Sequence, residues 1–351
     1  MIRDRIRIIS GFPCYNKLMK VTLLGLPQAG QQQLFSLMTA LPLDNIISKP
    51  LEVHQGVCDV KDPRIIKLKG MFNPKKTTFA KIEFLLLPDF DLSGPQKELL
   101  VSQLKNADEL CFVVREESAK DEVSSFISEL IIYDIMLAEK RLENIAKDKK
   151  RNNNPLAEKE RVLIEKCKTL LDQEKRLANE PFGEEEAKLL RTYQFLTMKP
   201  IIIVVNSSEA NAQPADFGLP AVALSIEIEQ EISQLPENEQ ADFMKDLGIT
   251  ESAIVKITQL CFQGLGLISF FTVGEDEVRA WPIPKGFSAK EAGSAIHTDI
   301  AKGFVRAELM KYDDFIAAGS EAKLKELGKF ALKGKDYIVE DSDILSFRFN
   351  V

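Results

Sequence analysis

The sequence predicts an α/β protein with a largely parallel sheet, an inserted antiparallel helical arm and a small mixed β domain at its C-terminal end. Three observations carry this. Short apolar runs recur at Val21–Leu26, Lys81–Leu87, Leu110–Val114, Ile201–Val205 and Ala221–Leu224, mostly with helical or loop material between them, as buried strands of a helix-covered sheet require. Between the third and fourth runs lies a stretch too long for a crossover, carrying two helical stripes. Past Leu267 the apolar period becomes that of short strands.

In order along the chain, residues 1–18 are basic and arginine-interrupted and read as an appendage, because a clean strand pattern begins only at "MKVTLLGL". The sheet domain takes 19–120 and 196–267. Several of its strands end in turn or polar residues, Gly25-Leu26-Pro27, Asn206-Ser207-Ser208-Glu209 and Ser225, and in open α/β sheets ligands bind beyond the carboxyl ends of strands. The arm takes 121–195. Its first stripe runs through Phe126, Ile127, Leu130, Ile131, Ile135, Ala138, Leu142 and Ile145, and its second through Leu163, Cys167, Leu170 and Leu177, with the polar turn "KDKKRNNNP" between. The C-terminal domain takes 268–351: a hairpin in "ISFFTVGEDEVRAWPI", a helix in "SAKEAGSAI", a strand in "GFVRAELM" and two more in "DYIVEDSDILSFRFNV".

Composition excludes several classes. A chain of 351 residues with 45% hydrophobic and 28% charged residues is ordinary globular material for two or three units. No run of about 18 apolar residues spans a membrane. The five cysteines are scattered and form no CxxC, and the only histidines are His54 and His297, so a disulfide framework, a zinc site and a Ser-His-Asp triad are not indicated, and a reducing cytoplasm fits. Net charge of −7 argues against a protein that coats free nucleic acid. The charge is uneven, however. Residues 139–176 hold 12 Lys and Arg against 8 Asp and Glu, net +4, which leaves −11 on the remainder. Lys147, Lys149, Lys150 and Arg151 at the arm's turn are therefore candidate contacts for the ribosome or structured RNA, against the plainer reading of a solvated helical face.

The stretch "VTLLGLPQAGQQQLF", residues 21–35, has the outline of a strand passing through a glycine turn into a helix. Such a loop cradles phosphates when its backbone N–H groups are joined by a lysine for charge and a hydroxyl for magnesium. Gly25, Pro27 and Gly30 are present, but three glutamines, Gln31, Gln32 and Gln33, follow them. A carboxamide can donate a hydrogen bond to phosphate, yet it brings no charge and is a poor magnesium ligand.

From about Lys20 to the C-terminus the chain resembles the YchF family of Obg-like P-loop ATPases. "FFTVGEDEVRAWPIPKG", "IHTDIAKGFVRAE", "YDDFIAAGSEA" and "GKDYIVEDSDILSFRFNV" carry the resemblance most specifically; "DPRIIKLKGMFNPKKTTFAKIEF" and "LLRTYQFLTMKPIIIVVNSSE" add to it. The resemblance implies a TRAFAC-type P-loop domain, a coiled-coil arm and a C-terminal β-grasp TGS domain. It puts Gln31 at the lysine position and Gln32 and Gln33 at hydroxyl positions, hence a degenerate Walker A motif. Asn206 and Glu209 match the family's Asn-x-x-Glu element, associated with ATP, and Ser225 the next base-contact loop. "PDFDLSGPQ" stands where the family has a longer glycine-rich switch, with Asp89 or Asp91 in place of its metal-linked carboxylate and Gly94 in place of its switch glycine.

The functional expectation is a cytoplasmic pseudo-ATPase associated with the ribosome or RNA, binding ATP or GTP weakly, with no catalytic or metal-ligating residue assigned. The alternatives are an active ATP or GTP hydrolase with an unorthodox site, and a nucleotide-free scaffold that meets a protein partner through its TGS domain and arm. His297, Trp281, the pair Asp313 and Asp314, and Asp341 with Asp343 read as turn, packing or helix-start residues.

Overall fold

The computed structural model describes residues 18–149, 155–210 and 212–350. Twelve strands are found among them: β1 (Met19–Gly25), β2 (His54–Val60), β3 (Lys76–Thr78), β4 (Ala80–Leu86), β5 (Glu109–Arg115), β6 (Ile201–Asn206), β7 (Ala221–Leu224), β8 (Leu267–Thr272), β9 (Glu277–Pro284), β10 (Phe304–Met310), β11 (Ala331–Lys333) and β12 (Ile344–Phe349). They form two six-stranded sheets, of order β2-β4-β1-β5-β6-β7 and β11-β10-β12-β8-β9-β3. The chain divides into two compact units, one of Lys20–Gly56 with Phe84–Ile257, the other of Val57–Glu83 with the segment from Thr258.

In the first unit β1, β5, β6 and β7 pair in parallel, with Leu23 opposite Cys111, Phe112 opposite Ile203 and Val205 opposite Ala223. Their side chains are buried on both faces, which is why these strands read as continuous apolar runs. Beneath β5 the rings of Phe112 and Phe126 stack at 4.1 Å, with Phe90 edge-on to Phe126 at 4.9 Å.

The arm consists of the helices Ala119–Lys149 and Pro155–Asp172. They enclose a small core of their own, including Ile131, Ala138, Ile164, Cys167 and Leu171. Ion pairs Glu139–Lys168 and Arg141–Glu160 run between them in antiparallel order. The segment returning to β6 is fixed by Asp134, fully buried, which accepts from the backbone N–H groups of Leu196 (2.9 Å) and Thr197 (2.8 Å) and from the Thr197 hydroxyl (2.7 Å). Burial pushes that carboxyl up to about 6 despite the three donors. Lys199 donates to the carbonyls of Lys105 and Ala107, and burial brings its ammonium down to about 8.

The second unit is a mixed sheet. β8 and β9 form the expected antiparallel hairpin, β12 joins β8 in parallel, and β10 lies antiparallel to β11 and β12. The helix Ala289–Ile296 starts on a capping box between Ser288 and Glu291. The C-terminal stretch differs from the sequence expectation. "DYIVEDSDILSFRFNV" holds one strand, not two, because Tyr337–Asp343 is spent on a polar knot: Asp343, fully buried, accepts from Lys311 Nζ (2.7 Å), the Tyr337 hydroxyl (2.8 Å) and the Glu340 N–H (2.9 Å). The partner that β10 takes on its other side is instead the three-residue β11. Asp341 binds Arg64 at 2.6 Å, and His297 caps the short helix Thr298–Lys302 by accepting from Asp299 N–H. These carboxylates and this imidazole hold structure together.

Candidate nucleotide site

The loop after β1 is shaped by three local devices. Ala29 N–H donates to Leu26 O at 3.1 Å, closing a turn with Pro27 at its second position and Gln28 at φ 68°, a left-handed conformation uncommon for a residue with a side chain. Gly30 follows at φ 95°, and the helix Gln31–Thr39 begins there with no side-chain cap, so its first N–H groups remain available to an acceptor. Gly30 is also confined: a Cβ on it would lie 2.7 Å from Ile226 Cδ1 and 2.8 Å from Asn206 Nδ2. Leu34, Phe35 and Met38 anchor the helix in the core.

Gln31 is 3% exposed and turned back into the loop, its Oε1 3.0 Å from where a Cβ on Gly25 would stand. Its Nε2 donates to Asp89 Oδ1 at 2.7 Å. Asp89 follows β4, at the surface, and among the described residues it has no ion-pair partner; desolvation raises its carboxyl while the Gln31 bond lowers it, with a net rise. Gln32 and Gln33 are half-buried. Asp91 plays a different part. Its Oδ1 accepts from Ser93 N–H, the Ser93 hydroxyl and Gly94 N–H, a closed turn that holds the carboxyl below its usual range. A side chain at Gly94 would collide with Asp91 at 2.5 Å. Of the two carboxylates in "PDFD", it is Asp89 that reaches the loop.

On the opposite side stands the end of β6. Asn206 donates from Nδ2 to Ala29 O (3.2 Å) and accepts at Oδ1 from Ile226 N–H (3.3 Å), which ties the loop to the start of the helix Ile226–Gln234. Ser225 caps that helix, its Oγ accepting from Ile228 N–H at 3.3 Å. Glu209 is exposed, its backbone N–H bonded to Ser207 Oγ and its carboxylate without a partner among the described residues. The structure thus joins Gly25, Pro27, Gly30, Gln31, Asn206 and Ser225 through the loop and its neighbours. The Ala29 carbonyl is the participant that the sequence did not select, whereas Asp89 was one of the two aspartates that "PDFD" offered, and the structure distinguishes it from Asp91.

At the arm's turn Lys147 lies 3.7 Å from Glu143, both side chains exposed. The side chain of Lys149, and Lys150 and Arg151, fall outside the described residues. Arg161 binds Glu158 and Glu165, and with Arg141–Glu160 and Lys168–Glu139 several of the arm's cations are matched within it.

Residues 267–350 match YchF-GTPase_C, described as a protein of unknown function (DUF933). The "Ribosome-binding ATPase YchF" of Bacillus subtilis is 33% identical over 94% of this chain and 98% of its own length. That of Escherichia coli O157:H7 is 29% identical over 95% and 99%. A solved structure, the YchF GTPase of Schizosaccharomyces pombe, superposes with a TM-score of 0.80 at 27% identity, covering 96% of this chain and 99% of that one. No helix among the described residues is long and apolar enough to cross a membrane.

Proposed function

Because the chain belongs to the YchF family, we propose that it is a cytoplasmic, ribosome-associated regulatory protein whose nucleotide site binds weakly and has lost most or all of its hydrolysis. The observation that carries the second half is the Gln31–Asp89 hydrogen bond at 2.7 Å. At that place a phosphate-binding loop needs a lysine to neutralise β- and γ-charge and an adjacent hydroxyl to hold magnesium. Three carboxamides supply neither. Loss of one preorganised donor at a reacting centre costs about 10²–10³ in rate, and here a cation and a metal ligand are missing together. A magnesium–triphosphate group therefore does not fit these side chains, although the turn, the positive-φ glycine and the uncapped helix start still fit an acceptor oxygen. Base recognition falls to Glu209, with Asn206 positioning the loop and Ser225 the following helix.

A nucleotide-free scaffold is the second reading. It is favoured by one feature: both amide atoms of Asn206 and the Ser225 hydroxyl are already engaged by the protein.

The first half rests on relatives matched over 98% and 99% of their own length whose name is ribosome-binding ATPase. Contact is assigned to the arm's turn, through Lys147, Lys149, Lys150 and Arg151 on ribosomal RNA. Attraction of this kind is screened over about 8 Å at physiological salt. Co-sedimentation with purified ribosomes is thus expected at low salt with or without ATP, weakening as salt rises and falling severalfold when the four charges are reversed to glutamate. Absence of co-sedimentation at low salt overturns the assignment; an unchanged reversed variant moves the contact off the arm.

A further inference from the structure

A carboxylate stands on each side of the candidate site, Asp89 beside Gln31 and Glu209 beyond Asn206, and that shared negative charge selects a ligand. Gln31 fills the interior of the loop with its own carboxamide, against Gly25 and 3.0 Å from the position a Cβ would take there. The one full charge bonded to the loop's side chains is negative, the carboxylate of Asp89, and its only hydrogen-bond partner among the described residues is the neutral Gln31. The uncapped helix start offers roughly half a positive charge, enough to attract a single weak acceptor but not to offset several phosphate charges facing a carboxylate. Three residues past Asn206, Glu209 is exposed and its carboxylate has no partner among the described residues, which leaves it an acceptor for the N–H groups on a purine edge. Base and ribose bring no negative charge to either carboxylate.

We propose that this site takes an uncharged purine nucleoside in preference to a nucleoside di- or triphosphate. The inference rests on the reading that Glu209 faces a base, and it adds that each phosphate weakens binding. It also fixes the sign of the salt effect. In a loop with its lysine, salt screens an attraction and weakens ATP; here salt screens a repulsion and strengthens it.

Equilibrium dialysis of the full chain with labelled adenosine, guanosine, AMP and ATP, in EDTA and in Mg²⁺ at low and high salt, tests this directly. In EDTA at low salt, at least one nucleoside is expected to bind about tenfold or more tighter than ATP, with AMP between, and the gap closes as salt rises. Asp89→Asn narrows the ratio severalfold, Gln31→Lys reverses it, and Glu209→Ala removes nucleoside binding. ATP bound more tightly than both nucleosides in EDTA at low salt, or ATP affinity that falls with salt, overturns the proposal while leaving the base-reading site intact. Nucleoside binding that survives Glu209→Ala places the ligand elsewhere and overturns it too. Failure of every ligand to bind overturns the base-reading site itself, and this proposal with it.

Discussion

Two sides of one loop are built differently. On the Asn206 side, the two side chains that flank the loop are tied into backbone: Asn206 joins Ala29 O to Ile226 N–H, Ser225 caps a helix, and Gly30 is wedged between Asn206 and Ile226. On the glutamine side, the one side-chain bond found among the described residues reaches a surface carboxylate. The first set does structural duty whether or not a ligand is present. The second ends on an exposed carboxylate, so substitution at Gln32, Gln33 or Asp89 is expected to change chemistry without changing the fold. On the proposed reading of this loop, glycine conformation and helix packing, not a lysine, define its shape.

Stability measurements by chemical denaturation can break this contrast. The largest effect is expected at Gly30→Ala, where a side chain at positive φ must also displace Ile226 and Asn206, a loss of about 2–4 kcal/mol. Asn206→Ala deletes two hydrogen bonds and costs about 2 kcal/mol. Ser225→Ala removes a helix cap, about 1 kcal/mol. Gln32→Ala, Gln33→Ala and Asp89→Asn stay within about 0.5 kcal/mol of the wild type. If the last three cost as much as the first three, the glutamine side is structural and the contrast fails.

Much of the fold was legible because its strongest signals are local. The strands at Val21, Leu110 and Ile201 are buried on both faces and announce themselves by composition, and the arm by its stripe from Phe126 to Ile145. What escaped depends on distant partners. β3 is three residues long and exists by pairing Lys76–Thr78 with Glu277–Arg279, some two hundred residues away. β11 likewise has meaning only beside β10. Val339 carries strand-like character in sequence, but the demands of buried Asp343 bend its neighbourhood into turns. The candidate site divides along the same line. Glycine spacing and the Asn206–Glu209 interval are visible in one dimension, whereas the bond from Gln31 to Asp89 crosses 58 residues, and "PDFD" alone cannot tell which aspartate makes it.

The central claim, a loop whose form outlived its chemistry, is tested most directly by phosphate release from ATP with Mg²⁺, measured on the purified chain beside the Bacillus subtilis relative and on the double variant Gln31→Lys with Gln32→Ser. The account predicts wild-type release at background, and a double variant that binds ATP at least tenfold better while its turnover rises far less, since the loop at Asp91–Gly94 is still a closed turn. Wild-type turnover matching the relative's would contradict it.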